Sequence, residues 1–540
     1  MRTEEKLRRA LFGLVLLGNA ALAGAQSWET YQGNAQHTGY VQIQVNVPNI
    51  SQGWQIQMPG TSLSQVAAGG GMVFVTSQSS NSSSILSLFG IEAGSGVVDW
   101  TQSWSNLSSL TPPSLKNGLV YVQTIDNAEN CLLDCYYANG DFRWRQPFAS
   151  QWAHYLAPTV DSGTVYIAGG EYSGMYGFGA SDGTHEWFCN QLMQYDGWTP
   201  SLDPTYAYVY TGPNTIGSAQ AGLYAVNRQT GNLDFQVYDA NNVWNGWTAS
   251  CAVAVSNGFG YATNAKRLIG FDLNNRILAW QVQRQITGQP SVSGNSVYVP
   301  DGGGISAFDA LTGAYLWTWV PAVGVVNGPI VLTNNLAFVT TASGTFGVDL
   351  TTHKQVWTTT LSGQLAIADG TLYIAGPTGQ LTSFSLNSLS VVDPTAYNVV
   401  RGLGLSGSLS SLFSIDDQVL RVRQGPTLNT QEAPVQVVVT GTSPNPSPNV
   451  LTFHLQAFAN TPGLTGAIEL WNYSTGQWVK LSSAATTTTE SVLEASAPTP
   501  AQFVQPGTNQ VQARVSWKQT GPTLSYPWNV SIDQAVWLEG

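Results

Sequence analysis

The sequence predicts an all-β fold built from one repeated unit. An aromatic residue recurs every 37 to 48 residues, at Trp100, Trp144, Trp187, Phe235, Trp280, Trp317 and Trp357. A strand and a turn precede each of them, most clearly from Phe308 to Trp317. Charged residues make up only 9% of the chain, against about 25% in an average protein, which argues against long solvated helices. A period of this length with strand signals in every unit is typical of a β-propeller.

Each unit is predicted to contain four strands. In the second unit these are 113–116, 119–123, 132–137 and 142–146. Asn117-Gly118 joins the first two, and an Asn-Gly pair between alternating apolar residues is a strong hairpin signal. The apolar second strand recurs in other units, at 72–75, 164–167, 296–299, 336–339 and 372–374.

An eighth unit at about 364–386 lacks its own trailing tryptophan. Trp54 lies 46 residues before Trp100, which fits the period. We therefore predict eight blades, with the strand around Trp54 closing the ring and removing a free sheet edge. Residues 389–392 are the competing closing strand.

The chain divides into three predicted parts. Residues 1–25 have the form of a signal peptide: basic residues, a short apolar run at 11–17 and Ala23-Gly24-Ala25 as a cleavage site. Residues 26–395 form the propeller. Residues 396–540 carry short alternating strands at 435–440, 451–458, 467–472, 510–517 and 530–537, which favour a β-sandwich. We expect a secreted or periplasmic protein, with cell-surface association as an option, and no membrane span.

Charge and cysteine content exclude some function classes. A net charge of −12 disfavours nucleic-acid binding, which needs a basic face. Of the four cysteines, Cys131 and Cys135 would lie about 13 Å apart in an extended strand, beyond disulfide reach. Buried thiols or one long-range bridge with Cys189 or Cys251 remain open. We expect no metal site.

The repeat resembles that of a known family. Phe308 to Trp317 matches the pattern aromatic-Asp-x-x-Thr-Gly-x-x-x-Trp of pyrroloquinoline-quinone-type (quinoprotein-like) propellers, and Trp28 to Tyr40 resembles the lead-in of its exported members. The resemblance covers about residues 28–392 and implies the propeller fold. It implies two kinds of activity, because the family includes both dehydrogenases and non-catalytic binding propellers. The C-terminal part resembles a module of secreted bacterial proteins, which implies no particular activity.

Candidate binding residues lie where the repeat is broken. The connections after units two, three and four are long and aromatic, whereas those after units five to seven are plain. Asp126, Glu129, Tyr172 and Asp301, in turns within the units, are expected on the same face. The candidate ligand-binding residues are Trp152, Tyr155, Glu171, Asp196, Trp198, Asp239, Asn242, Trp244 and Trp247. A flat aromatic ring beside Asn and Asp suits a sugar ring or a peptide. In the alternative interpretation, Trp198 and Trp247 plug the channel or pack on neighbouring loops.

The preferred hypothesis is an exported, non-catalytic binding or scaffolding propeller with no catalytic residues and no cofactor, whose ligand is a glycan or an envelope protein bound on blades two to five. The alternative is an oxidoreductase of alcohols or sugars that uses PQQ and calcium. For such enzymes the resemblance implies adjacent cysteines, an Asp base and a carboxylate-held calcium, but no two cysteines are adjacent here. Glu171, Asp196 and Asp239 could hold a cation. A further alternative is an envelope protein-assembly factor, against which the missing lipid-anchor cysteine and the extra C-terminal module count.

Overall fold

The all-β prediction is confirmed. The computed structural model describes residues 26–540 apart from 59–61, 79–84, 127, 129, 151–155, 171–172, 194–196, 213–219, 244–251, 327, 387–388, 417, 430–431 and 523–525. Helix in the described residues is limited to three short 3-10 turns: Val47–Asn49, Leu409–Leu412 and Pro500–Phe503. Within these residues, no helix combines the length and apolar character that crossing a membrane requires. The predicted signal peptide lies outside them.

The described residues of the propeller form eight antiparallel sheets, which we number as blades 1 to 8 and whose strands run from the centre outward. Blade 1 contains Ser62–Leu63, Ala67–Gly69, Met72–Gln78, Leu86–Glu92 and Val98–Trp104. Blade 2 contains Leu107–Leu110, Ser114–Lys116, Leu119–Asp126, Cys131–Tyr137 and Phe142–Phe148. Blade 3 contains Thr159–Asp161, Thr164–Ala168, Ser173–Gly179 and His185–Met193. Blade 4 contains Ser201–Leu202, Tyr206–Thr211, Gly222–Asn227 and Leu233–Tyr238.

The second half repeats this arrangement with fewer residues per blade. Blade 5 contains Ala254–Ser256, Phe259–Asn264, Arg267–Asp272 and Ile277–Gln283. Blade 6 contains Ser291–Ser293, Ser296–Asp301, Gly304–Asp309 and Tyr315–Trp319. Blade 7 contains Val331–Leu332, Leu336–Thr341, Gly344–Asp349 and Gln355–Thr359. Blade 8 contains Gln364–Ala368, Thr371–Ala375, Gln380–Ser385 and, as its outermost strand, Ser51–Gln57.

Ring closure through Trp54 is confirmed. Ser51–Gln57 pairs antiparallel with Gln380–Ser385, so the N-terminal chain supplies the last strand of the last blade. The competing strand, Leu389–Val392, leaves the propeller and pairs with Asn529–Glu539 of the C-terminal part. The edge of blade 8 is therefore covered, which removes a site for unwanted strand pairing.

The repeated tryptophans join each blade to the next. Five indole nitrogens donate a hydrogen bond to a backbone carbonyl of the following blade: Trp54 to Ala93, Trp100 to Ala138, Trp144 to Ala180, Trp187 to Arg228 and Trp280 to Ala310. Each ring also lies against a turn glycine of that blade, as Trp54 does against Gly96, where an added Cβ would meet the indole at 2.6 Å. The tryptophan period thus reflects packing between blades.

In two blades, a residue other than glycine occupies the turn position that the aromatic ring contacts. Arg276 and His353 occupy the turn position in blades 5 and 7, both with positive φ. The Arg276 guanidinium lies 4.4 Å from the ring centroid of Phe235, and His353 stacks on Trp317 at 4.4 Å. A flat or cationic group thus replaces glycine as the surface that the aromatic ring contacts.

Residues 26–41, which we call the N-terminal segment, cross the inner strands of all eight blades. Inner-strand amides donate to its carbonyls: Ala68 to Trp28, Leu115 to Glu29, Leu202 to Ala35, Val255 to Gln36, Val292 to Thr38 and Leu332 to Gly39. Thr30 binds Pro158 of blade 3, and the carbonyl of Gln26 accepts from Asp369 in the first turn of blade 8. Four of the six inner-strand amides belong to the middle residue of a three-residue inner strand, so the segment lies across the centre of the ring.

His37 is the most enclosed polar residue of this segment. Its ring is fully buried, with Nδ1 2.5 Å from the Tyr31 carbonyl oxygen and Nε2 3.0 Å from the Pro200 carbonyl oxygen. Burial lowers the pKa of His37 to about 4, although the hydrogen bonds to Tyr31 and Pro200 act in the opposite direction. The folded protein therefore holds a neutral imidazole at neutral pH.

The C-terminal part is a sandwich of two sheets. The first sheet has the order Pro394–Arg401, Val435–Thr442, Gln510–Gln519, Leu464–Asn472, Gln477–Thr486. The second sheet is built around Asn529–Glu539 and contains Ile43–Gln44, Leu389–Val392, Leu403–Ser406, Leu420–Arg423, Leu451–Ala459 and Ser491–Ser496. Buried aromatic residues such as Phe453, Trp517 and Trp537 fill the space between them. The boundary at 395/396 stays a prediction, since strands on both sides of it belong to the sandwich.

Three of the four cysteines are described, and all three are buried: Cys131, Cys135 and Cys189. Burial raises the pKa of the Cys135 thiol to about 12. Cys251 lies outside the described residues. The described thiols agree with the packing interpretation of the sequence.

Replacing Trp54 tests closure. Trp54→Ala should lower the free energy of unfolding by about 3 kcal/mol, because loss of the indole removes its contacts with Tyr373 and with the turn at Gly96. Trp54→Phe keeps an aromatic ring and loses the bond to Ala93, so we expect a loss of only about 1 kcal/mol. Urea unfolding measures both values. Equal stability of the alanine variant and the wild type would contradict closure through this strand.

His37 should make the protein acid-sensitive. Between pH 6.5 and pH 4 the unfolded chain binds a proton that the folded chain does not, so stability falls as the pH drops through this window. The expected loss is about 3 kcal/mol. His37→Asn cannot take up this proton and tolerates the positive φ of the site. Urea unfolding at a series of pH values should give a shallower pH slope for the variant; parallel slopes would contradict the assignment.

Candidate binding face

The antiparallel order of the strands determines which connections share a face. Blade-to-blade connections and second-to-third strand turns emerge on the same side of the ring, which we call the loop face. The second-to-third turns are two residues long in blades 5 to 7, at 265–266, 302–303 and 342–343. In blades 1 to 4 they span 79–85, 127–130, 169–172 and 212–221. The loop face is therefore elaborated on one half of the ring, as the sequence predicts for the blade-to-blade connections.

Six of the nine predicted ligand-binding residues lie outside the described residues: Trp152, Tyr155, Glu171, Asp196, Trp244 and Trp247. Glu129 and Tyr172 lie outside them as well. Their role in binding stays a prediction. The structure describes the other three, Trp198, Asp239 and Asn242.

Trp198 lies in the core between blades 3 and 4. Only 3% of it is exposed, and it belongs to a cluster with Trp187, Leu202 and Tyr224. The alternative interpretation, in which Trp198 packs against its neighbours, is the better account of this position. The sequence could not distinguish ligand contact from packing, because a tryptophan in a loop beside polar residues is compatible with both.

Asp239 and Asn242 lie together in a buried polar network beneath the loop face. Asp239 Oδ2 accepts from Arg267 Nη2 at 2.9 Å and from the Tyr210 hydroxyl at 2.7 Å. Asn242 Nδ2 donates to the same hydroxyl at 3.0 Å. Arg267 also donates to the Asn241 carbonyl, so the guanidinium fixes the whole connection 239–242.

Asp239 and Arg267 form a buried ion pair in which the two charges neutralise each other. Burial would raise the pKa of Asp239, but the hydrogen bonds from Arg267 and Tyr210 outweigh it and hold the pKa below its usual value. Burial and the bond to Asp239 raise the pKa of Tyr210, which stays a donor. Asp239 is therefore a fixed anion neutralised by its own arginine.

Two other acids of the loop face, Asp301 and Asp126, also accept hydrogen bonds from groups of the protein itself. Asp301 accepts from Arg284 Nε at 2.5 Å, from the Gln285 amide and from Ser306. Asp126 is solvated and caps its own turn through the Ala128 and Asn130 amides. A cation at Asp239 or Asp301 would have to displace a bound guanidinium, so these residues do not fit a calcium site. The described residues contain no group of three potential metal ligands.

The most exposed apolar part of this face was not predicted from the sequence. The connection from blade 6 to blade 7 carries Val320, Val323 and Val325, exposed by 58, 63 and 61%. The Val326 amide binds the Gly303 carbonyl, and Gly324 lies close to Thr341, so the connection rests on the turns of both blades. Val-Pro-Ala-Val-Gly-Val-Val, seven residues at 320–326 without a polar side chain, was the available signal.

Comparison with known proteins agrees with the fold. A family model described as outer membrane protein assembly factor BamB matches residues 90–302 and 301–421, more than half of the chain. The chain belongs to this family. The resemblance to PQQ-type propellers is thereby confirmed. No curated protein matches the chain by sequence.

Solved structures that match share the fold at low identity. The quinohemoprotein alcohol dehydrogenase from Comamonas testosteroni is 15% identical, with a TM-score of 0.53 over 72% of this chain and 84% of that one. A europium-containing methanol dehydrogenase is 14% identical, with a TM-score of 0.50 over 67% of this chain and 98% of that one. BamB from Moraxella catarrhalis is 16% identical, with a TM-score of 0.46 over 62% of this chain and 97% of that one.

Removing the arginine beneath the loop face should be strongly destabilising. Arg267→Met leaves the Asp239 carboxylate buried without its partner, and we expect a loss of about 3–5 kcal/mol in the free energy of unfolding. Arg284→Met is the matched control, because each carboxylate keeps two other donors but the Arg284 side chain is 37% exposed and that of Arg267 only 5%. Its loss should be clearly smaller. A loss for Arg267→Met no larger than that of the control in urea unfolding would contradict this expectation.

Proposed function

We propose that this chain is an exported, non-catalytic binding or scaffolding propeller whose loop face contacts a protein partner. The observation that carries the proposal is the exposure of large apolar side chains on that face. Besides Val320, Val323 and Val325, the exposed residues include Tyr238, which ends the outer strand of blade 4, and Val243 in the connection that follows. Exposed apolar groups that are held in place mark interaction surfaces.

The chemistry of these residues favours a protein over a glycan on this part of the face. Valine offers neither a flat aromatic surface nor a hydrogen bond, which are the groups that sugar recognition uses. Interfaces between proteins bury apolar side chains at their centre within a polar rim. The predicted residues on blades two to five, such as Trp152 and Trp247, would extend the same surface.

A dehydrogenase is the weaker proposal. The enzymes of the resembling family need a carboxylate-held calcium and adjacent cysteines, and the chain has no two cysteines next to each other. The described acids Asp239 and Asp301 are already bound by Arg267 and Arg284. We therefore assign neither PQQ nor calcium to the protein.

A role in envelope assembly is consistent with the proposal. The family model is described by an outer membrane protein assembly factor, which makes an envelope protein a suitable partner. A secreted or periplasmic location follows from the signal-like residues 1–25. We propose this location and this class of partner together.

The valine connection offers a direct test. In the triple variant Val320→Thr, Val323→Thr, Val325→Thr, recovery of envelope proteins with the purified chain from the envelope fraction of its source organism should fall at least tenfold. Threonine keeps the shape of valine and adds a hydroxyl that must be desolvated on binding. Quantitative mass spectrometry of the recovered proteins gives the measurement.

A second triple variant controls for loss of apolar surface elsewhere. Val97, Val356 and Val400 are exposed but lie away from the loop face, and their replacement by threonine should leave recovery unchanged. An equal fall in both variants would contradict the assignment of the face. Dye reduction with alcohols or sugars that requires PQQ and is abolished by a calcium chelator would overturn the non-catalytic proposal.

A further inference from the structure

The C-terminal sandwich contains a cleft of about 550 Å³, a size typical of small-ligand sites. The cleft lies at one end of the sandwich, between the two sheets. Gln424 and Gly425, which follow the strand Leu420–Arg423, form one side; 518–521, at the end of Gln510–Gln519, form the other. It is separate from the loop face of the propeller and does not depend on the function proposed there.

The lining is rich in neutral hydrogen-bonding groups. Side-chain amides and hydroxyls are contributed by Gln424, Thr427, Asn429, Gln519 and Thr520. Two charged residues, Glu432 and Lys518, complete the polar lining. The Glu432 carboxylate is already engaged, since it accepts from the Leu428 amide at 2.8 Å and lies 3.3 Å from Arg401. The cleft therefore offers mainly amide and hydroxyl groups, together with the ammonium group of Lys518.

Two aromatic residues face this polar lining. Trp528 forms the floor and is 1% exposed, whereas Tyr526 at the rim is 80% exposed. Burial of a tyrosine ring contributes much to folding, so a ring left in water at the edge of a cleft is available for a ligand. A flat ring beside amides and hydroxyls matches the two faces of a sugar, whose C–H groups pack on the ring while its hydroxyls form hydrogen bonds.

The position of the cleft argues against an extended peptide. Peptides that bind β-domains commonly add a strand to an open sheet edge. The cleft lies at the ends of Val435–Thr442 and Gln510–Gln519, which are inner strands of their sheet and have neighbours on both sides. No edge for strand addition is present at these two strands. A compact ligand recognised by side chains fits the geometry better.

We propose that this cleft binds a short neutral oligosaccharide, with Tyr526 as the stacking platform. We favour a neutral ligand because Arg401 engages the Glu432 carboxylate and the net charge of −12 repels polyanions. The Lys518 ammonium in the lining can donate hydrogen bonds to sugar hydroxyls. The C-terminal domain would then attach the propeller to a glycan surface. This function adds to the protein contact on the loop face.

An array of neutral and acidic oligosaccharides, probed with the full-length chain, tests the proposal. We expect retention on neutral hexose or N-acetylhexosamine members, and the best member is then titrated by calorimetry. Tyr526→Ala should weaken its affinity at least tenfold, and Tyr526→Phe should keep it within about twofold because the ring remains. Tyr315→Ala, which removes an exposed tyrosine of blade 6, is the matched control and should change nothing.

The outcomes that overturn the proposal are distinct. Retention on acidic members alone, or on none, contradicts a neutral-glycan site. Neutral-glycan binding that Tyr526→Ala leaves unchanged places the glycan elsewhere, for example on the loop face. Because Tyr526 is exposed, its replacement should leave the melting temperature unchanged, so lost affinity cannot be ascribed to unfolding. Envelope-protein recovery by the same variants stays intact if the two functions are independent.

Discussion

The propeller depends on the backbone pairing between residues 26–57 and the ring. The N-terminal segment binds the inner ends of the eight blades, and Ser51–Gln57 then completes blade 8 from outside. The stretch between them, through Ile43–Gln44, also pairs with Leu389–Val392 of the sandwich. One continuous piece of chain therefore crosses the centre of the ring, closes the ring and joins the two domains.

Repeated and unrepeated positions serve different purposes. The tryptophans that recur in the blades bond to the next blade, and the buried Asp–Arg pairs fix connections beneath the loop face, as Arg267 does for residues 239–242. These groups are satisfied within the fold. The exposed valines after blade 6 and Tyr526 of the sandwich are not repeated in the other blades or strands. Their side chains face solvent instead of joining one element to the next, so they are available for the two proposed ligands.

Much of the fold could be predicted because it follows from local patterns. The period of the tryptophans, the Asn-Gly hairpins and the spacing from Trp54 to Trp100 predict the blades and their closure. The site could be predicted less well. Asp239 and Arg267 are 28 residues apart on neighbouring blades, so their pairing has no local signal. The N-terminal segment binds mainly through backbone carbonyls, which leave little trace in the choice of side chains, and the burial of Trp198 depends on the neighbouring blade.

Hydrogen–deuterium exchange of the full-length protein tests the central claim most directly. The account predicts that peptides covering residues 28–41, and the amides of Leu115, Val255, Val292 and Leu332, exchange only when the whole propeller unfolds. Their protection should then match that of the central blade strands and fall together with it in denaturant. Rapid exchange of 28–41 while the blade strands stay protected would show that the ring holds without this segment, and would contradict the account.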